Sequence, residues 1–169
     1  MVWVINLKKL LFLFTVLALF MTSCSVNRDM SAYMLMSRLG TENGYIYVND
    51  CDVSSINYIS PERLGYLYYG ESTALCETDI TESFCIYISR SIQVSEIHIF
   101  KAKHQSDVEA LKRMLESRKK LLSKSQINPS DTDFISDTAT ECHVFFKGRF
   151  VFLTAGGGND IIPRIEKLF

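Results

Sequence analysis

Two pairs of strand-like segments, one on each side of a long amphipathic helix, constrain the fold of this chain more than any other feature. Residues 83–90 and 96–103 are rich in β-branched and aromatic residues, and a short polar link separates them. Residues 142–147 and 149–154 form the second pair, and Gly148 between them allows the positive φ of a tight hairpin. This arrangement predicts an α+β fold, in which helices pack on an antiparallel sheet of about four strands.

The helices have recognisable starts. A capping box at 106–109 opens the longest helix, and shorter helices are expected at 30–39, at 60–70, and after a cap at Asn159 or Asp160. The apolar residues of the longest helix recur on one stripe: Val108, Leu111, Leu115 and Leu122. We therefore expect the long helix to lie with this stripe on the sheet.

The N-terminus has the three parts of a secretory signal. Lys8 and Lys9 supply positive charge, and residues 10–21 form an apolar run of 12. This run is shorter than the roughly 20 residues that a spanning helix needs. Residues 1–23 are therefore predicted to be a lipoprotein signal peptide.

The end of the apolar run, Met21-Thr22-Ser23-Cys24, resembles the signal box of bacterial lipoproteins. In that class the cysteine, here Cys24, receives a diacylglyceryl group and becomes the new N-terminus. The prediction is a lipidated cysteine and tether at 24–31 and a single α+β extracytoplasmic domain at 32–169, anchored to the cell membrane and facing outside the cytoplasm. The alternative is an uncleaved N-terminal anchor with a chance cysteine, which also places the domain outside.

Composition and charge limit the classes of partner that this chain is expected to bind. The 169 residues are 47% hydrophobic and carry a net charge of −1, which excludes a disordered chain and a polybasic nucleic-acid binder. Without residues 1–23 the net charge is −3, and it divides into −6 over 25–89 and +3 from Arg90 onward. The expected partners are the cytoplasmic membrane, through the N-terminal lipid, and an envelope protein or wall polymer, with no nucleic acid.

Three short segments carry a family resemblance. They are Ser95-Glu96-Ile97 opening a strand, Leu115-Glu116-Ser117-Arg118 in the long helix, and Lys147-Gly148-Arg149-Phe150 at the hairpin. With these segments, residues 86–168 resemble the small lipoproteins of Gram-positive bacteria catalogued as domain of unknown function 4358. The resemblance implies a surface lipoprotein without an established activity. This chain departs from the family in having Phe150 where a tyrosine is common.

No acid, base and nucleophile converge in the sequence, so no catalytic, cofactor-binding or metal residue is predicted. Cys142 and His143 are adjacent on a strand and point to opposite faces, so this histidine cannot activate this thiol. Glu96 and His98 share one strand face, but a metal site normally needs three or four ligands, so a half-exposed polar pair is expected. The glycines at 156–158 lack the lysine of a phosphate-binding loop and predict a simple turn.

Three further features admit either binding or ordinary packing. The basic long helix could lie on anionic lipid or wall polymer, or be a solvated face. Tyrosines of the acidic half could bind protein or carbohydrate, or pack on the sheet. Beyond Cys24, four cysteines could form one disulfide, for which Cys76 and Cys85 are candidates. The tyrosines are Tyr45, Tyr47, Tyr58, Tyr66, Tyr68 and Tyr69.

One long-range contact follows from element geometry. If the long helix runs back antiparallel over the strand from Glu96, the rise of the two elements brings Arg118 within reach of Glu96. We expect the two residues to form a structural ion pair. The function predicted from the whole sequence is a non-enzymatic binding or structural component of the cell envelope, and the alternative is an envelope hydrolase or other enzyme with a dispersed site.

Overall fold

Five antiparallel strands form the centre of the fold. A computed structural model describes residues 30–41, 43–72, 76–90, 95–124, 141–156 and 160–169. The strands are β1 (Gly44–Val48), β2 (Thr81–Ser89), β3 (Glu96–Ala102), β4 (His143–Lys147) and β5 (Phe150–Ala155), in the spatial order β1-β2-β3-β5-β4. The predicted α+β class is confirmed.

The expectation of about four strands is wrong by one, because β1 was not predicted. This strand has only five residues, and its place is set by pairing with β2, from Gly44 opposite Ser89 to Val48 opposite Cys85. A Cβ atom on Gly44 would lie 2.1 Å from the Tyr87 ring, so only glycine permits the close approach of the two strands there.

Among the described residues, four α-helices accompany the sheet: α1 (Ala32–Arg38), α2 (Pro61–Tyr69), α3 (Val108–Lys124) and α4 (Ile161–Glu166). The start of α2 follows the sequence, because the Ser60 hydroxyl accepts a hydrogen bond from the Arg63 N–H. The helix ends at Gly70, which has the left-handed conformation that favours glycine, with φ of 77°.

The cap of α3 differs from the expected capping box at 106–109. A short 3₁₀ turn, Gln105–Asp107, precedes the helix, and the Asp107 carboxylate accepts from the His104 N–H at 3.0 Å. The Ser106 hydroxyl donates to the neighbouring Asp107 carboxylate at 3.3 Å. The α-helix therefore begins close to the expected position. The cap is at His104 and not at Ser106, because the 3₁₀ turn that precedes the helix includes Ser106.

Helices cover both faces of the sheet. The core on one face joins α2 and α3 to alternate residues of the three central strands, among them Phe84, Phe100 and Val151. On the other face α1 packs against β2 and β3, and the Ala32 N–H donates to the Ser83 hydroxyl. Every residue of β5 is buried, whereas Phe146 of the edge strand β4 is 44% exposed. Burial on both faces explains why β5 carries apolar residues on both of its faces.

Residues Ser31–Leu168 form one compact unit, and Met1–Met30 with Phe169 are grouped as a second. The predicted signal peptide, Cys24 and most of the tether lie outside the described residues. Of the helices that the structure describes, none has the length and apolar character to span a bilayer.

Candidate functional site

The expected approach of Glu96 and Arg118 is present, and it forms the centre of a buried polar cluster. The Arg118 guanidinium contacts the Glu96 carboxylate in a bidentate manner, with Nε 3.0 Å from Oε2 and Nη2 2.5 Å from Oε1. Its remaining Nη1 donates to the Leu67 carbonyl of α2 at 3.3 Å. One arginine therefore joins β3, α3 and α2.

Two further side chains extend this cluster. His98 Nε2 lies 3.1 Å from Glu96 Oε2, although the N–H is not aligned for a regular hydrogen bond. His98 Nδ1 lies 2.8 Å from the Tyr68 hydroxyl. We call Tyr68, Glu96, His98 and Arg118 the polar cluster. With the proton on Nε2, the imidazole N–H lies near the Glu96 carboxylate, and the Tyr68 hydroxyl donates to Nδ1.

The polar cluster is closed to solvent. Glu96 is 2% exposed, His98 and Tyr68 are fully buried, and only Arg118 retains exposure, at 17% of its side chain. The half-exposed pair expected for Glu96 and His98 is therefore wrong. Helices α2 and α3 cover this face of β3, and the sequence of the strand alone does not show that cover.

Burial and charge act in opposite directions on the cluster. Burial alone would raise the pKa of Glu96, but the contacts with His98 and Arg118 outweigh it and lower this pKa to about 2. Burial lowers the pKa of His98 despite the nearby carboxylate, so the imidazole is neutral. Burial also raises the pKa of Tyr68 well above its usual range. The cluster is thus an ionised carboxylate–guanidinium pair with a neutral imidazole and phenol attached.

The second site is an open groove between α2 and the β1–β2 edge of the sheet, with a volume of about 420 Å³. We call it the tyrosine groove. Its walls are mainly apolar and aromatic, with one acid and one base: Tyr47, Ile59, Glu62, Arg63, Tyr66, Leu67, Ser72 and Ile88. Tyr66 is 67% exposed. None of the four residues of the polar cluster is among the lining residues.

The described cysteines are not joined by disulfide bonds. The four described cysteines, Cys51, Cys76, Cys85 and Cys142, are free thiols, so the candidate bridge between Cys76 and Cys85 is not formed. Burial raises the pKa of Cys85 to about 12 and that of Cys142 to about 11, which leaves both protonated at neutral pH. His143, the first residue of β4, is exposed, whereas Cys142, which directly precedes the strand, is buried.

The other features singled out in the sequence are the basic face of α3, the possible metal ligands and the glycine turn. Lys112 of α3 lies 4.0 Å from Glu109 and 5.7 Å from the Phe146 ring centroid, so part of the basic face has neighbours within the chain. Within the described ranges, no group of three His, Cys, Asp or Glu side chains could hold a metal ion. Of the glycine turn at 156–158, only Gly156 lies within the described residues.

The sequence predicted the contact between Glu96 and Arg118. It did not predict that Tyr68 belongs to the same cluster, and it did not predict the tyrosine groove. A signal for His98 was present, because residues two apart on a strand share a face.

Searches of protein-family models, of curated proteins and of solved structures found no match to this chain.

Proposed function

We propose that the protein is a lipid-anchored extracytoplasmic lipoprotein whose domain binds a ligand in the tyrosine groove and does not transform it. The observation that carries this proposal is the contrast in access between the two sites. The groove is open and aromatic, whereas Glu96, His98 and Tyr68 of the polar cluster are buried and paired within the cluster.

The chemistry of the groove supports binding. Tyrosine side chains offer a large apolar area and a polar tip, a combination that is enriched at recognition surfaces. The groove residues Glu62 and Arg63 can fix the orientation of a polar ligand. Neither an imidazole nor a thiol occurs among the lining residues, so the groove holds no histidine base beside the Ser72 hydroxyl.

The anchoring half of the proposal rests on the sequence. Lys8 and Lys9, the apolar run and the Met21–Cys24 box supply the signal, and the resemblance of 86–168 to domain of unknown function 4358 agrees with a surface lipoprotein. In cells given a fatty-acid analogue, we expect label on the wild-type chain and on Cys51→Ala, and none on Cys24→Ala. Equal labelling of all three chains would contradict lipidation at Cys24.

The binding half is tested in the intact cell envelope. A photoreactive benzoyl-phenylalanine replaces Tyr66 in the groove or, as a matched control, Phe146 on the opposite edge of the sheet. Both positions are exposed aromatics, so the two variants differ mainly in the site that they report. We expect a crosslinked adduct from position 66 alone. No adduct at position 66, or equal adducts at both, would overturn the groove as the binding site.

A further inference from the structure

Strand β1 forms one edge of the sheet, and the direction of its backbone groups follows from the contacts of β2. The Phe84 N–H donates to Asn49 Oδ1 at the end of β1, whereas the Ser89 N–H donates to the Ser95 carbonyl on the side of β3. Because backbone groups alternate in direction along a strand, the even-numbered residues of β2 point toward β1.

This alternation assigns the hydrogen bonds between the two strands. Ile86 lies opposite Tyr47 and Ile88 lies opposite Tyr45, so these are the hydrogen-bonded pairs of β1 and β2. The backbone groups of the intervening residues of β1 consequently point away from the sheet.

The outward groups of β1 are not all available. The Val48 N–H donates to the Asn57 carbonyl at 3.0 Å, and the Cys51 thiol donates to the Val48 carbonyl at 3.4 Å. The N–H and C=O of Gly44 and Ile46 have no such partner among the described residues. The open part of the edge is therefore two alternate residues, which present two donors and two acceptors in the spacing of a strand.

We propose that this open edge binds an extended peptide segment of a partner protein, which adds as a sixth strand beside β1. An extended polypeptide is the ligand whose N–H and C=O groups repeat with the spacing that Gly44 and Ile46 present. The inference rests on the proposed function, because it names the ligand class of the same groove.

Side-chain placement joins the edge to the tyrosine groove. The peptide residue opposite Tyr45 presents its side chain on the same face as Tyr45, Tyr47 and Ile88, because directly paired residues share a face. Tyr47 and Ile88 line the groove, and Tyr45 is 45% exposed, with the Arg90 guanidinium over its ring. Backbone pairing thus supplies affinity, and an apolar or aromatic side chain at this one position supplies specificity.

The two edges of the sheet differ in a way that supports this assignment. Natural sheets protect exposed edges with lysine, proline, bulges or covering segments. The opposite edge strand, β4, ends in Lys147 and begins with the exposed His143. The sequence of β1, Gly-Tyr-Ile-Tyr-Val, contains no charge and no proline, so pairing at this edge is not prevented.

The test uses random heptapeptides displayed on phage, selected on the full chain in detergent micelles and counter-selected on empty micelles. A selected peptide is then synthesised, and its affinity is measured for Ile46→Pro and Ile46→Ala. Proline removes the outward N–H and leaves the inward pairing of β1 intact, whereas alanine removes the side chain and keeps the N–H. We expect proline to weaken binding at least tenfold and alanine less than threefold.

A second arm leaves the protein unchanged, in case Ile46→Pro does not fold. Two versions of the peptide carry N-methyl groups on alternate amides. We expect methylation of the set that faces β1 to weaken binding at least tenfold and methylation of the other set less than threefold.

Failure to select any peptide over empty micelles, or equal effects of the two methylation sets, would overturn strand pairing. A wild-type dimer that Ile46→Pro converts to a monomer would assign the edge to a second copy of this chain, which also overturns a heterologous peptide. If position 66 still crosslinks a partner in the envelope while the peptides fail, ligand binding in the groove stands and only the strand pairing is wrong.

Discussion

One side of helix α2 contacts the buried polar cluster, and the other side borders the open tyrosine groove. Comparing the two sides distinguishes residues that stabilise the fold from residues that are available for binding. On its inner side the Tyr68 hydroxyl pairs with His98, and the Leu67 carbonyl accepts from Arg118 of the polar cluster. On its outer side Tyr66 and Arg63 border an open groove. Buried polar groups are costly to leave unpaired, so the inner side resists change. The outer side has no such constraint and can be shaped by a ligand.

The largest expected effect is the loss of the arginine from the cluster. Arg118→Met leaves the Glu96 carboxylate buried without its bidentate partner, and breaking a buried pair in this way costs about 3–5 kcal/mol. Denaturant unfolding of the full chain in mild detergent measures the free energy. Arg113→Met, at an exposed position of the same helix, is the control and should change it by less than about 0.5 kcal/mol. Similar losses in both variants would show that the buried ion pair contributes no more to stability than an exposed arginine of the same helix.

The second largest expected effect is a loss of folding stability in acid, where Glu96 and His98 of the polar cluster become protonated. Glu96 has a folded pKa of about 2 against an ordinary 4.5, so its contribution is present above pH 4.5 and is lost as the pH falls toward 2. The pKa of His98 is also lowered from 6.5, so its contribution begins to fall below that pH. Both groups therefore make the fold less stable in acid, and Glu96 alone accounts for a loss on the order of 3 kcal/mol.

Unfolding at a series of pH values between 7 and 2 measures this effect. The Glu96→Gln variant serves as the control, since it has no carboxylate to protonate and should lose much less stability over the lower part of the range. An identical acid profile in wild type and variant would show that other groups cause the acid sensitivity.

A smaller effect is expected from two tyrosines on opposite sides of α2. Tyr68→Phe removes the hydroxyl that pairs with His98 Nδ1 and leaves a buried acceptor without a donor, which costs about 1–3 kcal/mol. Tyr66→Phe removes an exposed hydroxyl and should change stability by less than about 0.5 kcal/mol. Unfolding curves of the two variants give the comparison directly, and equal values for both would refute it.

The smallest effect on stability should accompany a large effect on binding. Tyr66→Ala truncates an exposed groove residue, so we expect the unfolding free energy to change by less than about 0.5 kcal/mol. Affinity for a selected heptapeptide should nevertheless fall at least tenfold, because exposed aromatic residues dominate recognition energies. Unchanged affinity would show that the ligand contacts another surface.

Much of the fold could be predicted from the sequence, because its signals are local. Capping residues mark α2 and the neighbourhood of α3, and Gly148, with φ of 55°, makes the turn of the β4–β5 hairpin. The Glu96–Arg118 contact could be expected because it follows from the rise of one strand and one helix joined by a short turn.

The rest depends on packing between elements that are distant in sequence. The position of Tyr68 beside His98 is fixed by how α2 lies on the sheet, and no periodicity in either segment contains that information. Strand β1 is similarly too short to be distinguished from a loop until its pairing with β2 is known. The tyrosine groove forms between these two elements, so the sequence could indicate its tyrosines but not the space that they enclose.

The most direct test of the inner side is a double-mutant cycle between Glu96 and Arg118. The free energy of unfolding is measured for wild type, Glu96→Gln, Arg118→Met and the double variant, all as full chains. Residues that share a buried pair are coupled, so the loss in the double variant should be smaller than the sum of the single losses by at least about 1 kcal/mol. Additive losses, within about 0.5 kcal/mol, would contradict the account that this pair holds α2 and α3 on the sheet.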